Sequence, residues 1–524
     1  MADTTFADLV ADAGTVCDLA RTTLGPFGAT KLVIRRGGNV TTTASGAELL
    51  DDLEVTDPGV TLLRTGATGF RDRHGDGATT LVTFAGALLE EAVGLVDQGL
   101  HPTAVERGYR EGLSVALDRL DGRSHPLSLV GPAAVARTAL TATRNPAVKR
   151  RVGEYVAEVA EAVGDAGPAG PTSVKVSARI GAASETELVQ GLVLDHEPVS
   201  EAMPRREPDA GVALLSSTVD LPRLGGATGG PNARVVLSAD SFDDRAAIGE
   251  SEREAFRDRL RAAVDAGCRF VATERAVNDR VKSVLADHGV VALERVERDD
   301  LGRLARSTGA RVVPSLGHAS PETLGRADVT VRREAGRDFV FVESAAGDPV
   351  YTLFCRAPDP RSVSEFEASV ESAIAATVRA AEDGTVVPGG GAIDVELARA
   401  VREHARSVDG REQLAVEAFA DALEVVPRTL ATNAGLDGWT GLIRLRVAHH
   451  EGRSTIGIDA LAGETGETLR DDPIVEPAGL KRDALSAATD LAAQLIRIDE
   501  RLPATDLGPR EPGPPEDGQP VSET

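Results

Sequence analysis

Lysine, cysteine, methionine and aromatic residues are scarce in this chain of 524 residues. It holds two methionines and one tryptophan, and aromatic side chains make up 3% of the total. Arginine supplies 52 of the 57 basic residues, and the five lysines are Lys31, Lys149, Lys175, Lys282 and Lys481. Against 82 acidic residues this gives a net charge of −25. A lysine-poor, acidic surface is typical of a cytoplasm rich in salt, where screening removes self-repulsion. GC-rich coding would also favour arginine over lysine.

These shortages exclude several classes of protein. The cysteines Cys17, Cys268 and Cys355 are odd in number and far apart, so we expect neither a disulfide framework nor a zinc site, and a reducing cytoplasm. No basic stripe exists to neutralise phosphates, which argues against nucleic acid as a partner. The adjacent His449 and His450 have no metal-site spacing, and we expect them to be structural or solvated.

Membrane association is not expected either. The beginning, "MADTTFADLV", carries aspartates where a signal peptide would carry positive charge. No apolar run of about 18 residues is free of charged side chains, so no membrane span is predicted.

Apolar spacing divides the chain into helix-rich ends and an α/β middle. Helices are predicted over 5–23, 45–53, 58–70, 79–98, 103–120, 364–383, 391–409 and 413–433, with a helix pair over 131–167. The segments "SVKVSARIGA" and "ELVQGLVLD" read as strands. From about 190 to 345, the short strands "ARVVLSAD", "RFVATE", "VVALERV", "ARVVPSL" and "VTVRR" alternate with helices over 251–266 and 276–287. This pattern predicts a separate α/β domain inserted between the helical ends.

Two local signals complete the outline. "TKLVI" and "NVTTT" flank "RRGG", which predicts a β-hairpin. The last stretch, "PATDLGPREPGPPEDGQPVSET", is rich in proline, glycine and acid, and is predicted to be a disordered tail.

A Gly-Asp-Gly turn at Gly75–Gly77 precedes Thr79, Thr80 and a long apolar run. If Thr79 opens a helix, its first amides form an anion site, to which the threonine hydroxyls add donors. Asp76 would repel a bare phosphate but fits if a hard cation lies between them, since Mg²⁺ often takes one or two carboxylates plus phosphate oxygens. The alternative is a turn that only caps the helix.

Two further glycine-rich breaks adjoin helices, "RTTLGPFGATK" (Arg21–Lys31) and "VVPGGGAIDVELA" (Val386–Ala398). Three such loops exceed what turns alone usually require. None has the spacing of the Walker phosphate loop.

With these loops the chain resembles the group II chaperonins, the Hsp60-like family of the archaeal thermosome and the eukaryotic TCP-1-type cytosolic chaperonin. The resemblance covers about residues 5–505. It rests on the ordered segments "RTTLGPFGATKLVI", "GDGATTLV", "LLEEAVGLVDQGLHPTAVERGYREGL", "EDGTVVPGGGAIDVELA", "NAGLDGWTGLIRLRVAHHEG", "IGIDALAGE" and "IVEPAGLKRDALSAATDLAAQLIRIDE".

The resemblance implies a multi-domain α+β chaperonin subunit. Its domains would be a mostly helical equatorial domain from both termini (1–121 and 386–504), a small intermediate domain (122–189 and 346–385), an inserted α/β apical domain (190–345) and the tail (505–524). It further implies binding of ATP with Mg²⁺, and of K⁺ as a further cation. Copies of the chain or paralogous subunits would form a double ring that encloses unfolded client proteins.

The resemblance also assigns site residues. The phosphate loop "LGPKG" is matched with Phe27 in place of lysine, and "GDGTTT" is matched with Ala78 in place of the first threonine. Asp76 takes the magnesium-ligand position, and Gly389 belongs to the "GGG" beside the nucleoside. The implied nucleotide-binding residues are Leu24, Gly25, Pro26, Gly28, Gly46, Gly75, Gly77, Ala78, Thr79, Thr80, Gly390, Gly391, Asp459 and Glu476.

Both catalytic aspartates of the family are replaced. Ser45, in "TASGAEL", and Ser372, in "SVESA", occupy their positions. A serine hydroxyl is not a base near neutral pH, so hydrolysis is expected to be slow. Glu48, one turn beyond Ser45, could reach the site and rescue the reaction. Glu371 should point about 100° away from Ser372 and is the poorer candidate.

The segment "SADSFDDRAAIGESEREAF" is shorter and more acidic than the family's apical protrusion, so the resemblance leaves open whether it forms a lid or the usual client surface. Three functions follow. One is an ATP-binding folding chaperonin with impaired hydrolysis. Another is a non-hydrolysing structural or regulatory subunit of a mixed ring, or a repurposed scaffold. An unrelated nucleotide-using enzyme would need a second reactive cluster, which the sequence does not offer.

Overall fold

The computed structural model describes residues 6–35, 38, 40–165, 173–220 and 242–498. The predicted tail and the predicted strand "ARVVLSAD" lie outside these ranges. The helices are α1 (Phe6–Arg21), α2 (Gly46–Asp52), α3 (Pro58–His74), α4 (Ala78–Asp97), α5 (Pro102–Asp121), α6 (Pro132–Ala139), α7 (Pro146–Asp165), α8 (Phe242–Asp265), α9 (Asp279–Asp287), α10 (Arg298–Thr308), α11 (Pro360–Asp383), α12 (Ala392–Ala405), α13 (Glu412–Leu423), α14 (Val425–Asn433), α15 (Gly438–His450) and α16 (Ala478–Ile496).

The strands run in the same order along the chain. They are β1 (Lys31–Ile34), β2 (Val40–Thr43), β3 (His125–Pro126), β4 (Val174–Ile180), β5 (Glu187–Leu194), β6 (Arg206–Leu215), β7 (Cys268–Thr273), β8 (Val291–Leu293), β9 (Val312–Val313), β10 (Gly325–Glu334), β11 (Arg337–Glu343), β12 (Tyr351–Ala357), β13 (Thr385–Pro388), β14 (Ile456–Asp459), β15 (Glu464–Glu467) and β16 (Val475–Pro477).

The predicted helices are present, with one clear error. The single helix expected over 413–433 is wrong, because the chain breaks at Glu424 into α13 and α14. Pro427 explains the break: it has no amide hydrogen to continue the first helix, whereas a proline fits the first turn of a new one. The helix predicted over 391–409 ends early, at Ala405, and the one predicted over 58–70 continues to His74.

One hydrophobic core joins the two ends of the chain. It contains buried residues from Val10 to Leu120 and from Val387 to Ile496. Helix α4 runs through it, packed against α1, α13 and α16. The Phe84 ring of α4 meets the Phe419 ring edge-on, with centroids 5.4 Å apart. Helix α4 is long and apolar enough to cross a membrane by length and composition, but most of its side chains are buried in this core.

A mixed sheet of nine described strands forms the middle of the chain. The order is β4-β12-β5-β11-β10-β6-β7-β8, and β9 pairs with β6. Separate apolar clusters cover the two faces of its β6–β8 region, one around Leu214 and Phe270, the other around Leu215 and Val271. At the other end of the sheet, β4 and β12 pack with α6, α7 and α11 around Val152.

Two small pairings position the residues of the candidate site. Strand β13 pairs antiparallel with β16 so that Val387 lies opposite Glu476, which brings the triple-glycine loop beside that glutamate. The predicted hairpin is confirmed as β1–β2, and its apolar residues Leu32, Ile34 and Val40 are exposed.

The two adjacent histidines have the expected character. His449 is buried and its ring nitrogens bond to the Glu396 carboxylate at 3.0 Å and to the Ile456 carbonyl at 2.8 Å. His450 is exposed. His449 therefore holds α15 against α12 and β14.

Candidate functional site

A cleft of about 1590 Å³ lies between the helical core and the α6, α7 and α11 layer. The glycine loops that are distant in sequence meet here. The predicted residues that line it are Leu24, Gly25, Pro26, Gly28, Ser45, Glu48, Gly75, Asp76, Gly77, Ala78, Thr79, Thr80, Ser372, Gly390, Asp459 and Glu476.

Three of the predicted residues, Gly46, Gly389 and Gly391, do not line the cleft. Gly46 is buried in the first turn of α2, and its amide donates to the Thr79 hydroxyl at 3.1 Å. Gly391 precedes α12 as its N-cap, and a Cβ there would come within 2.5 Å of Pro427. Gly46 and Gly391 therefore pack behind the residues that line the cleft.

The first glycine loop turns back sharply on the end of α1. A Cβ at Gly28 would lie 2.0 Å from the Thr23 carbonyl oxygen, so only glycine fits that position. Asn433 of α14 donates its side-chain amide to the Leu24 carbonyl at 2.9 Å. The loop is thus held from the C-terminal half of the helical core.

The Gly75–Gly77 turn joins α3 to α4. Gly75 ends α3 with a φ of 71°, and Gly77 is the N-cap of α4. The helix begins at Ala78, one residue before the predicted Thr79. Gly77 has no side chain to cap the helix, so the first amides of α4 stay open to a ligand. The turn therefore ends α3 and leaves the first amides of α4 available to an anion.

Asp76 lies half-buried within this turn. Burial raises the pKa of its carboxyl to about 6; the Gly77 amide opposes the rise and the charge of Glu476 adds to it. Among the described residues, no arginine or lysine is within ion-pair distance of it. A carboxylate without a cation, beside open helix amides, fits a hard cation bound to phosphate oxygens.

Ser45 caps α2. Its hydroxyl accepts a hydrogen bond from the Glu48 amide at 3.4 Å. Thr43 accepts from the Ser45 amide at 2.9 Å and donates to the Glu48 carboxylate at 2.6 Å. Glu48 thus lines the cleft as predicted, but its carboxylate already belongs to the capping arrangement of α2.

Helix α11 closes directly over the Gly75–Gly77 turn. The Ser372 hydroxyl donates to the Gly75 carbonyl at 3.2 Å. A Cβ at Gly75 would lie 2.3 Å from the Ala375 Cβ. Glu371 was expected to point away, but it also lines the cleft, and burial followed by repulsion from Glu367 and Glu48 raises the pKa of its carboxyl.

Gly390, Asp459 and Glu476 line a further part of the cleft. The Ile458 amide donates to the Gly390 carbonyl at 2.8 Å, and the Asp459 carboxylate accepts from the Ala462 amide at 2.9 Å. The described chain has no group of three or more histidines, cysteines or acids that could hold a metal. Asp76 alone suits a magnesium ion whose other ligands come from phosphate and water.

Two lysines that line the cleft were missed from the sequence. Lys481 is buried and lies 2.9 Å from Asp394 and 3.3 Å from Glu476. Burial alone would lower the pKa of Lys481, but these two carboxylates hold that pKa well above its usual range. Lys149 is buried at the start of α7. Because lysine is rare in this chain, the few lysines present could have been identified from the sequence as candidate functional residues.

Known proteins resemble this chain over almost its whole length. Residues 16–505 match the model of the TCP-1/cpn60 chaperonin family. A thermosome subunit of Methanopyrus kandleri is 36% identical over 502 residues, covering 94% of this chain and 90% of the relative. Thermosome subunit 3 of Haloferax volcanii is 35% identical over 497 residues, covering 93% of each. Thermosome subunit alpha of Saccharolobus solfataricus is 33% identical over 522 residues, covering 96% and 92%.

Proposed function

This chain belongs to the TCP-1/cpn60 chaperonin family, and we propose that it is a thermosome-like subunit that binds Mg-ATP in its cleft and hydrolyses it slowly. One observation carries the proposal: three glycine loops and the open start of α4 meet around Asp76 in one cleft. Family membership supports a role in protein folding, and clients would be unfolded proteins.

Each part of the cleft has a proposed role. The Leu24–Gly28 loop and the first amides of α4 would bind phosphates, with the hydroxyls of Thr79 and Thr80 as further donors. Asp76 would hold Mg²⁺, and Gly390, Asp459 and Glu476 would bind the nucleoside. Bound magnesium would neutralise charge on the phosphate oxygens, and K⁺ would be a second cation.

Slow hydrolysis is proposed because the two serines are already engaged. The Ser45 hydroxyl caps α2, and the Ser372 hydroxyl donates a hydrogen bond to the Gly75 carbonyl. Neither hydroxyl has a pKa suited to a base near neutral pH. General acid–base catalysis contributes roughly 10²–10⁴-fold to rates, which sets the scale of the expected loss.

The test measures binding and turnover separately in molar KCl. Calorimetry should detect ATP binding that requires Mg²⁺ and that Asp76→Ala abolishes. Phosphate release should be far slower than in the Ser45→Asp/Ser372→Asp variant. Absence of nucleotide binding in the wild type would refute the proposal, and turnover equal to that of the double variant would refute slow hydrolysis.

We also propose the domain division that the family resemblance implies. Residues 1–121 and 386–504 would form the equatorial domain, 122–189 and 346–385 the intermediate domain, and 190–345 the apical domain. The hydrophobic core shared by both chain ends supports the first of these. Subunits would assemble in a double ring in a salt-rich cytoplasm, which electron microscopy in molar KCl can test.

A second candidate is a non-hydrolysing structural or regulatory subunit of a mixed ring. The engaged serines favour it, as does the exposed apolar hairpin β1–β2, whose outer strand edges pair with no other strand that the structure describes and could accept a neighbour. Native mass measurement of the chain alone and mixed with a paralogous subunit separates the two. A stable ring from this chain alone would remove the need for a partner.

A further inference from the structure

Lys149 is a buried lysine without a described partner. It lies in the first turn of α7, lines the cleft and is 7% exposed. Among the residues that the structure describes, no side chain forms a hydrogen bond or ion pair with its ammonium group. Lysine is almost never buried in this way unless it is paired.

The charged groups around Lys149 already have other partners. Those that act on it are Asp472, Arg137 and Asp459. Asp472 pairs with Arg137 at 2.9 Å, and Asp459 accepts from the Ala462 amide at 2.9 Å. Burial lowers the pKa of Lys149 to about 8, which the two acids only partly offset. Lys149 therefore lines the cleft with no direct hydrogen-bond or ion-pair partner for its ammonium group among the described residues.

The position of Lys149 identifies the end of the cleft that it serves. The part of the cleft lined by Asp459 and Gly390 is here called the Asp459 end, where the Ile458 amide donates to the Gly390 carbonyl. Asp76 is not among the charges that act on Lys149. An oxygen brought by a ligand at the Asp459 end would supply the missing partner.

We propose that Lys149 is a nucleotide-binding residue, whose ammonium group binds an oxygen on the nucleoside side of the β-phosphate. This inference rests on the proposed nucleotide function of the cleft. The contact from Lys149 would add to those from the glycine loops, so that α7 as well as these loops would bind the nucleotide.

A structural role for Lys149 makes the opposite prediction for stability. If the lysine served the core, its removal would destabilise the nucleotide-free protein. If it serves the ligand, an isosteric apolar replacement relieves an uncompensated buried charge. The nucleotide-free protein should then be as stable as the wild type or more stable, while nucleotide affinity falls.

The experiment compares Lys149→Met with Arg150→Met in the full-length chain. Arg150 is the exposed neighbour on the same turn and serves as the matched control. Calorimetry with Mg-ATP and with Mg-ADP should give at least about a tenfold loss of affinity for both nucleotides in Lys149→Met and no loss in Arg150→Met. The Tm of nucleotide-free Lys149→Met should equal or exceed that of the wild type.

Three results would overturn the inference while leaving the proposed function intact. One is unchanged affinity in Lys149→Met, and another is a lower Tm without loss of affinity. A loss confined to ATP would move the contact to the γ-phosphate and contradict the proposed position. If Lys149→Met does not fold, Lys149→Gln provides the same comparison. A wild type that binds neither nucleotide would instead refute the proposed function itself, and this inference with it.

Discussion

The guanidinium group of Arg144 lies over the Phe27 ring, 4.4 Å from its centre, and its Nε donates to the Pro26 carbonyl at 3.2 Å. The contact ties the loop before α7 to the first glycine loop, where the family has lysine in place of Phe27. On its other side this loop is fixed to α11, because the Ser369 hydroxyl accepts from the amides of Thr141 and Ala142. The loop before α7 is thus bonded both to the first glycine loop and to α11.

We predict that Phe27 and Arg144 act together in retaining nucleotide. Phe27→Ala and Arg144→Ala should each speed ADP release a few-fold, as expected for a contact of about 0.5–1 kcal/mol. The double variant should release ADP no faster than the faster single variant. The measurement is stopped-flow release of a fluorescent ADP analogue from the wild type, the two single variants and the double variant, which together form a double-mutant cycle. Additive effects in the double variant would contradict a direct contact.

Restoring both aspartates should restore hydrolysis. Ser45→Asp/Ser372→Asp is expected to raise the rate of phosphate release by about 10²-fold or more, because a carboxylate can orient and deprotonate water. Ser45→Ala is the matched control. It should lose the cap of α2, at a cost of about 1 kcal/mol, without changing the rate. A double variant as slow as the wild type would contradict the assignment of both positions.

Residual hydrolysis should not depend on Glu48. Its carboxylate accepts a hydrogen bond from Thr43 within the capping arrangement, so Glu48→Gln is expected to change the residual rate by less than about threefold. Glu371→Gln is the comparison, since Glu371 also lines the cleft. A loss of tenfold or more in Glu48→Gln alone would identify Glu48 as the substitute base.

We predict that Lys481 stabilises the protein by pairing with the buried carboxylate of Asp394. Lys481→Met leaves two carboxylates without their cation, one of them fully buried, and should destabilise the protein by about 3–5 kcal/mol. Adding Asp394→Leu should recover much of this loss. Thermal unfolding in molar KCl measures both variants. No recovery in the double variant would mean that Asp394 is not the group left unpaired.

The stability cost of Lys149 should depend on pH. Its pKa of about 8 is below the ordinary value, so the folded protein disfavours the charged form. The cost is about 3 kcal/mol below pH 8, where the ammonium is charged in both states, and it disappears as the pH rises toward about 10.5.

The Tm advantage of Lys149→Met over the wild type should therefore shrink between pH 7.5 and pH 10. Arg150→Met should show an offset that is independent of pH. An advantage that persists unchanged at pH 10 would exclude titration of Lys149 as its cause.

Local patterns in the sequence predicted most of the helices and the glycine loops because these features depend on neighbours along the chain, whereas α10, α15 and α16 were not predicted. Eight of the described strands were not predicted: β3, β6, β11, β12, β13, β14, β15 and β16. In β6 and β12 the buried residues run consecutively, so the alternation that indicates a strand is absent. The helix break at Glu424 could have been predicted from Pro427.

The site was predicted less completely than the fold. The glycines and Asp76 were found because their spacing has a direct chemical meaning. Lys149 and Lys481 were missed because what distinguishes them is burial and the presence or absence of a partner, both set by distant elements. The altered lid remains a prediction, because residues 238–241 and the side chains of the first half of α8 lie outside the described structure.

The hydroxyl of Ser45 caps α2 as an aspartate carboxylate at the same position would. Folding is therefore indifferent to which of the two residues stands there. An ancestor that carried aspartate could have exchanged it for serine without losing the helix, and the reverse exchange is equally open. Selection at position 45 would then act on nucleotide chemistry alone, which makes this position a record of whether a lineage still depends on turnover.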